Sequence, residues 1–141
     1  MRLSITVNDS EVRQALEITQ NRLKSLRPAF AAAGEYLRRQ TEMRFKNEVS
    51  PDGQPFAPLT AAYLKRKNRG TKILTRLGTL RGSITYDATD DQVEIGTNLI
   101  YARAHQYGYT PRNLPARPFL GINDQDANEI EAIFADYLES S

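Results

Sequence analysis

His105 is the single histidine of this 141-residue chain, and the chain has no cysteine. Thiol catalysis, zinc fingers, iron–sulfur sites and disulfide frameworks all need cysteine and are excluded together. A general base or triad member must have a partner that it activates or that orients it. No thiol is available to His105, so a hydrolase built on this residue and nearby carboxylates is the weakest reading of the chain. Asp87, Asp90 and Asp91 lie close together, but they bracket a turn. Aspartate belongs in a turn for backbone reasons, which makes a metal site there a poor reading. Gly78-Thr79-Leu80-Arg81-Gly82 has neither the Lys-Ser or Lys-Thr of a phosphate-binding loop nor the spacing of a dinucleotide fingerprint. No Gly-x-Ser-x-Gly elbow occurs. These residues predict a protein that is not an enzyme and takes no metal or other cofactor.

Charge carries more information. The formal net charge is only +2, but it is unevenly spread. Between Gly53 and Tyr86 there is no acid, while Lys65, Arg66, Lys67, Arg69, Lys72, Arg76 and Arg81 all fall there. From Ile122 onward there is no base, while Asp124, Asp126, Glu129, Glu131, Asp136 and Glu139 fall there. A subunit with one positive and one negative surface can bind a polyanion or a copy of itself head to tail. The basic stretch could contact phosphates, but only Tyr63 lies nearby to stack on bases, and no helix-turn-helix or RNP pattern appears. A small nucleic-acid-binding protein is therefore the second reading. Tyr101, Tyr107, Tyr109, Arg103, Arg112 and Arg117 crowd a loop-rich stretch around His105. Tyr and Arg are enriched at interface hot spots, but the same residues could form a core edge with solvated arginines.

The elements that would position these residues follow from periodicity. Leu3, Ile5 and Val7 alternate with polar neighbours and predict a strand. A helix capped at Asn8, Asp9 or Ser10 follows, with Val12, Ala15, Leu16, Thr19, Leu23 and Leu26 at helical spacing. Pro28 opens a second helix whose inner stripe is Phe30, Ala33, Leu37, Thr41 and Phe45. Its outer face carries Glu35/Arg39, Arg38/Glu42 and Glu42/Lys46 at i,i+4. Ser50-Pro51-Asp52-Gly53 predicts a turn, with Phe56 and Leu59 as anchors behind it. Thr60–Lys67 predicts a short helix. Leu80, Ile84 and Tyr86 then predict one strand and Val93, Ile95 and Thr97 another, joined as a hairpin through Thr89-Asp90-Asp91. Asn98 caps a short helix ending near Gln106, residues 107–118 form a loop, and Phe119, Leu120 and Ile122 predict an edge strand. Asn123 caps a last helix with the stripe Ala127, Ile130, Ile133, Phe134, Tyr137 and Leu138. The sum is an α+β domain over residues 1–141, with a long N-terminal helical pair and an amphipathic C-terminal helix packed on a small, mostly antiparallel sheet. A domain of this length buries roughly 70% of its unfolded surface and needs no covalent staple. The start of the chain has no secretory apolar region, and no run approaches the roughly 20 apolar residues of a membrane span.

One ordered set of motifs is distinctive. Phe45 is followed by Pro51-Asp52-Gly53, Phe56 and Pro58-Leu59, then by Ile73-Leu74-Thr75-Arg76-Leu77-Gly78-Thr79-Leu80-Arg81-Gly82-Ser83-Ile84. Val93-Glu94-Ile95-Gly96-Thr97, Tyr101-Ala102, His105-Gln106-Tyr107-Gly108 and Pro115-Ala116-Arg117-Pro118-Phe119-Leu120-Gly121 come next, before the acidic terminal helix. From Phe45 to its end the chain resembles the virion morphogenesis (tail completion) family of Mu-like and P2-like tailed bacteriophages. Many relatives carry Trp after Pro-Asp-Gly where this chain has Phe56.

The resemblance implies a non-enzymatic assembly protein that finishes the head-proximal end of the tail so that it can join the head, as a ring of subunits. It implies contacts with other copies, with tail tube and head–neck proteins, and with packaged DNA if the basic face lines the passage. No membrane is involved, and the protein would move from host cytoplasm to virion. The candidate interface residues are then Lys65, Arg66, Lys67, Arg69, Lys72, Arg76 and Arg81 on a basic face and Asp124, Asp126, Glu129 and Glu131 on an acidic one. Tyr101, His105, Tyr107, Arg117 and Phe119 join them, with His105 and Arg117 open to either interface or loop-bracing roles.

Overall fold

Leu3 and Ile5 put one apolar face on strand β1 (Arg2–Thr6), as their alternation predicts. The computed structural model describes residues 1–6, 25–58 and 78–139. Val7, the helix expected from residues 8–10 onward as far as Leu23, Leu59, the helix expected over Thr60–Lys67 and the basic residues Lys65, Arg66, Lys67, Arg69, Lys72 and Arg76 lie outside them.

Helix α1 (Arg27–Asn47) begins with Pro28 in its first turn, where a missing N–H costs nothing. Phe30, Ala33, Leu37, Thr41 and Phe45 are all buried, so the expected inner stripe is the core stripe. On the outside Arg39 and Arg38 reach Glu35 at 3.2 and 2.6 Å, and Arg38 also reaches Glu42 at 3.3 Å. The hydrogen bond from Arg38 is the main force holding the Glu35 carboxyl down at about 2. Beyond α1 the expected turn forms: Gly53 N donates to Ser50 O at 2.9 Å. Gly53 has φ +85°, a left-handed conformation that favours glycine.

The sheet is antiparallel in the order β1-β3-β2, with β2 (Thr85–Ala88) and β3 (Gln92–Gly96) joined by the expected hairpin. Thr89 closes that turn, its Oγ1 accepting from the Asp91 and Gln92 amides at 3.2 Å. The register pairs Leu3 with Ile95 and Ile5 with Val93, which puts their side chains on one face. That face packs on α1, while Ser4, Gln92 and Glu94 hydrogen-bond along the other. Helix α4 (Asp124–Glu139) closes the core, Phe134 standing edge-on to Phe30 at 5.0 Å. This is an α+β fold with helices on one face of a small antiparallel sheet.

Gly34 sits where α1 meets the sheet, and a Cβ there would lie 2.6 Å from Tyr86 Cδ2 and 2.9 Å from Val93 Cγ2. In an open helix, Gly→Ala stabilises by about 1 kcal/mol. Overpacking of a filled core costs about 1–3 kcal/mol and wins here. Gly34→Ala is expected to lower stability by about 1 kcal/mol net in denaturant unfolding, the reverse of the helix-propensity sign.

Four local expectations are corrected. Leu80 is not in a strand but in the short helix α2 (Gly78–Gly82), which Ser83 ends by bonding Leu80 O through both its amide and its hydroxyl. The spacing from Leu80 to Ile84 is helical, and only Tyr86 lies within the strand. Asn98 is not a helix cap: Thr97 Oγ1 accepts from Leu99 N at 3.1 Å, while Asn98 accepts from Arg2. Helix α3 (Ala102–Tyr107) starts only after a further turn, with Tyr101 at its N-cap. Phe119, Leu120 and Ile122 form no strand, because a side chain takes the place of a neighbouring strand, as described below. Ala127 is exposed, and the inner face of α4 includes Asp126 instead.

Candidate assembly interface

Helix α3 and the segment after it form one locked unit. The Gln106 side chain is buried, and its Oε1 accepts from the Phe119 and Leu120 amides at 3.0 and 3.1 Å. Its Nε2 donates to Leu120 O at 2.8 Å, so one amide satisfies both N–H groups and a carbonyl as a paired strand would. Arg117 is only 5% exposed; its Nε donates to Ala57 O at 2.8 Å and a terminal nitrogen to Pro58 O at 3.3 Å. Its backbone amide donates to His105 O at 2.7 Å. Arg117 thus braces the loop from within the chain. Between these fixed points Tyr109 and Leu114 pair across a 3-10 turn at Thr110–Arg112. Gly108 enters that turn at φ +83°, with Ala116 N and Leu114 O 3.0 Å from where a Cβ would be.

His105 lies half-buried in this unit, edge-on to Tyr101. Burial, and then the Arg117 guanidinium, hold its pKa below the usual histidine value, so the ring is neutral at pH 7. Its buried Nδ1 has no hydrogen-bond partner among the described residues, and no carboxylate there bonds to it. That arrangement does not support a general base. Among the described residues no three acidic or histidine side chains converge on a point, and Asp90 instead accepts a hydrogen bond from Ser25.

A second hub fixes α4. Asn123 Oδ1 accepts from Asp126 N at 2.7 Å, and Asp126 Oδ2 accepts from Asn123 N at 3.1 Å, a reciprocal cap at the helix start. Asp126 is 1% exposed and also takes an ion pair from Arg44, itself 5% exposed. Tyr36 Oη donates to the same carboxylate at 3.0 Å, and burial with this bond pushes the phenol up to about 12. Arg44 completes its fork on Gly121 O at 3.0 Å.

The sequence-proposed interface residues therefore divide. Asp126, Arg117 and Phe119 are interior: the first two hold other parts of the chain, and Phe119 stacks on Phe45 at 5.0 Å with no exposure. Arg81, Asp124, Glu129 and Glu131 are exposed. Tyr101 and Tyr107 are also exposed; Tyr107 lines one shallow depression with Ile100, Arg103 and Arg2, while Tyr101 stands on the His105 side of α3. Sequence reasoning missed Arg44, Gln106 and Ile100. Arg44 had a readable signal, since it falls on the inner side of α1 beside Thr41 and Phe45, where a cation requires a buried partner.

The described part of the chain is braced internally and presents aromatic and charged side chains on its surface. A model of the phage virion morphogenesis family matches residues 7–139. Protein G of Escherichia phage Mu, named for capsid assembly, is 32% identical over 141 aligned residues that cover 91% of this chain and 88% of that one. The G protein 1 of the Mu-like prophage FluMu of Haemophilus influenzae is 35% identical over 102 residues, covering 69% and 68%. Tail completion protein S of Escherichia phage P2 is 28% identical over 123 residues, covering 77% and 81%. No solved structure matches significantly. The chain belongs to the phage virion morphogenesis family and is a phage assembly protein.

Proposed function

We propose that the protein completes the head-proximal end of a phage tail so that it can join the head, acting through protein contacts rather than catalysis. The observation that carries this reading is the similarity to tail completion protein S over 77% of the chain. The architecture supports it: polar side chains are spent on bracing loops and capping helices, while Tyr, Arg and carboxylate groups stand on the surface. Its partners in this reading are tail tube and head–neck proteins and further copies of itself in a ring, whose different meeting surfaces make a heterologous contact. Among the described residues no helix is long and apolar enough to cross a membrane. In this reading the protein assembles in the host cytoplasm and resides in the virion.

Gold-labelled antibody against the protein, imaged on purified particles, tests the location. Label at the head–tail joint is the expected result. Label spread over the head shell, or confined to the distal tail, would contradict it.

A further inference from the structure

Among the described residues, two exposed charged surfaces have no ion-pair partner. Residues 97–123 contain no acid. Their surface carries Ile100 at 96% exposure and Tyr107 at 66%, with Arg103 beside them. The Arg103 guanidinium lies 5.8 Å from the Tyr107 ring centre, and among the described residues it has no carboxylate partner. Arg2 flanks the same shallow depression. A contiguous apolar and aromatic patch rimmed by cations is the form of a contact surface.

The second surface is the outward side of α4. Asp124, Glu129, Glu131, Asp136 and Glu139 are exposed there, and none forms an ion pair among the described residues. Ala132 and Ala135 are exposed between them and leave room for close approach by a bulky side chain. The opposite side of α4, Ile130 and Phe134, is committed to the core of its own subunit.

We propose that the Ile100–Tyr107 patch receives the outward face of α4 from a second copy of this chain. The inference rests on the assembly role above and names one contact within it. Patch against patch would bring two cation-rimmed surfaces together, and α4 against α4 would bring two carboxylate-rich surfaces together. Only the unlike pairing neutralises both surfaces, with like-charge alternatives penalised. Such a contact is head to tail, and it repeats from copy to copy until the rotation closes. It uses described residues of both signs and does not need the Lys65–Arg76 segment as the positive partner.

The absence of cysteine makes the test direct. Three variants are supplied in place of the native protein during phage assembly: Ile100→Cys, Ala132→Cys and both together. Both positions are exposed, so the fold should tolerate them. Purified particles are treated with a short bis-maleimide, covalent multimers are separated from single chains on denaturing gels, and crosslinked peptides of the multimers are identified by mass spectrometry. The expected result is a crosslink between the two sites of different copies in the double variant only. Adding Arg103→Glu should lower its yield about tenfold or more, the scale of a lost central interface contact. Crosslinks in particles of the Ile100→Cys variant alone would overturn the proposal in favour of patch-to-patch pairing. Particles that contain the protein but give no crosslink would overturn it as well, while leaving the assembly role standing. Infectious particles without the protein would overturn both, and an immunoblot of the particles separates these two failures.

Discussion

Asp126→Ala is expected to cost about 3–5 kcal/mol, the scale of a buried ion pair broken on one side. The carboxylate serves Arg44, the Tyr36 hydroxyl and the Asn123 amide at once, all at the point where α4 is fastened to α1. Its loss leaves Arg44, 5% exposed, as an uncompensated charge in the interior. It also opens the reciprocal cap that starts α4. Melting should fall by roughly 10–15 °C for a domain of this size. Arg44→Met with Asp126→Leu should be less damaging than Asp126→Ala alone, because both charges leave together. Denaturant unfolding of the three proteins checks this. A loss below about 1 kcal/mol for Asp126→Ala, the value of an exposed pair, would contradict the structure at this point.

Gln106→Leu is expected to be nearly as severe, and its effect is local in a way that can be seen. The substitution keeps bulk but removes the partners of Phe119 N, Leu120 N and Leu120 O. Each buried polar group left unsatisfied costs about 1–3 kcal/mol, and relaxation makes the sum about 3–5 kcal/mol. Hydrogen exchange should report loss of protection at the Phe119 and Leu120 amides before any global unfolding. Gln106→Glu retains an acceptor for the two amides but no donor for Leu120 O, so those amides should stay partly protected. Unchanged exchange at both positions in Gln106→Leu would mean that the side chain is not what holds the segment.

These two residues also mark where reading the sequence succeeds and where it stops. Periodicity reports apolar burial, and it placed β1, the Phe30–Phe45 stripe, the Ser50–Gly53 turn, the hairpin at Thr89–Asp91 and the Asn123 cap where the structure has them. Periodicity does not report which polar groups are buried together. Arg44 and Asp126 are 82 positions apart, and neither announces the other locally. Asp126 reads equally well as a complement to the helix dipole, which is why it was expected on the surface. Phe119 and Leu120 look like a strand because their amides are paired and their side chains buried, but the pairing partner is a side chain. Arg117 sits within a motif that marks the family, and its work is internal: it ties the loop to Ala57 and Pro58. The surface itself was more legible. Tyr101 and Tyr107 stand out by residue type and are exposed. Ile100, the most exposed large apolar residue of the patch, is not legible in the sequence, because an isolated isoleucine carries no periodic signal.

In its proposed role this protein finishes the tail for joining to the head. The most direct test is electron microscopy of a lysate from a phage or induced prophage carrying an early stop codon in its gene. Filled heads beside unattached or abnormally long tails, restored to whole particles when the protein is supplied in trans, are the predicted result. Normal infectious particles in its absence would contradict the claim and turn attention to nucleic-acid binding by the basic stretch from Lys65 to Arg81.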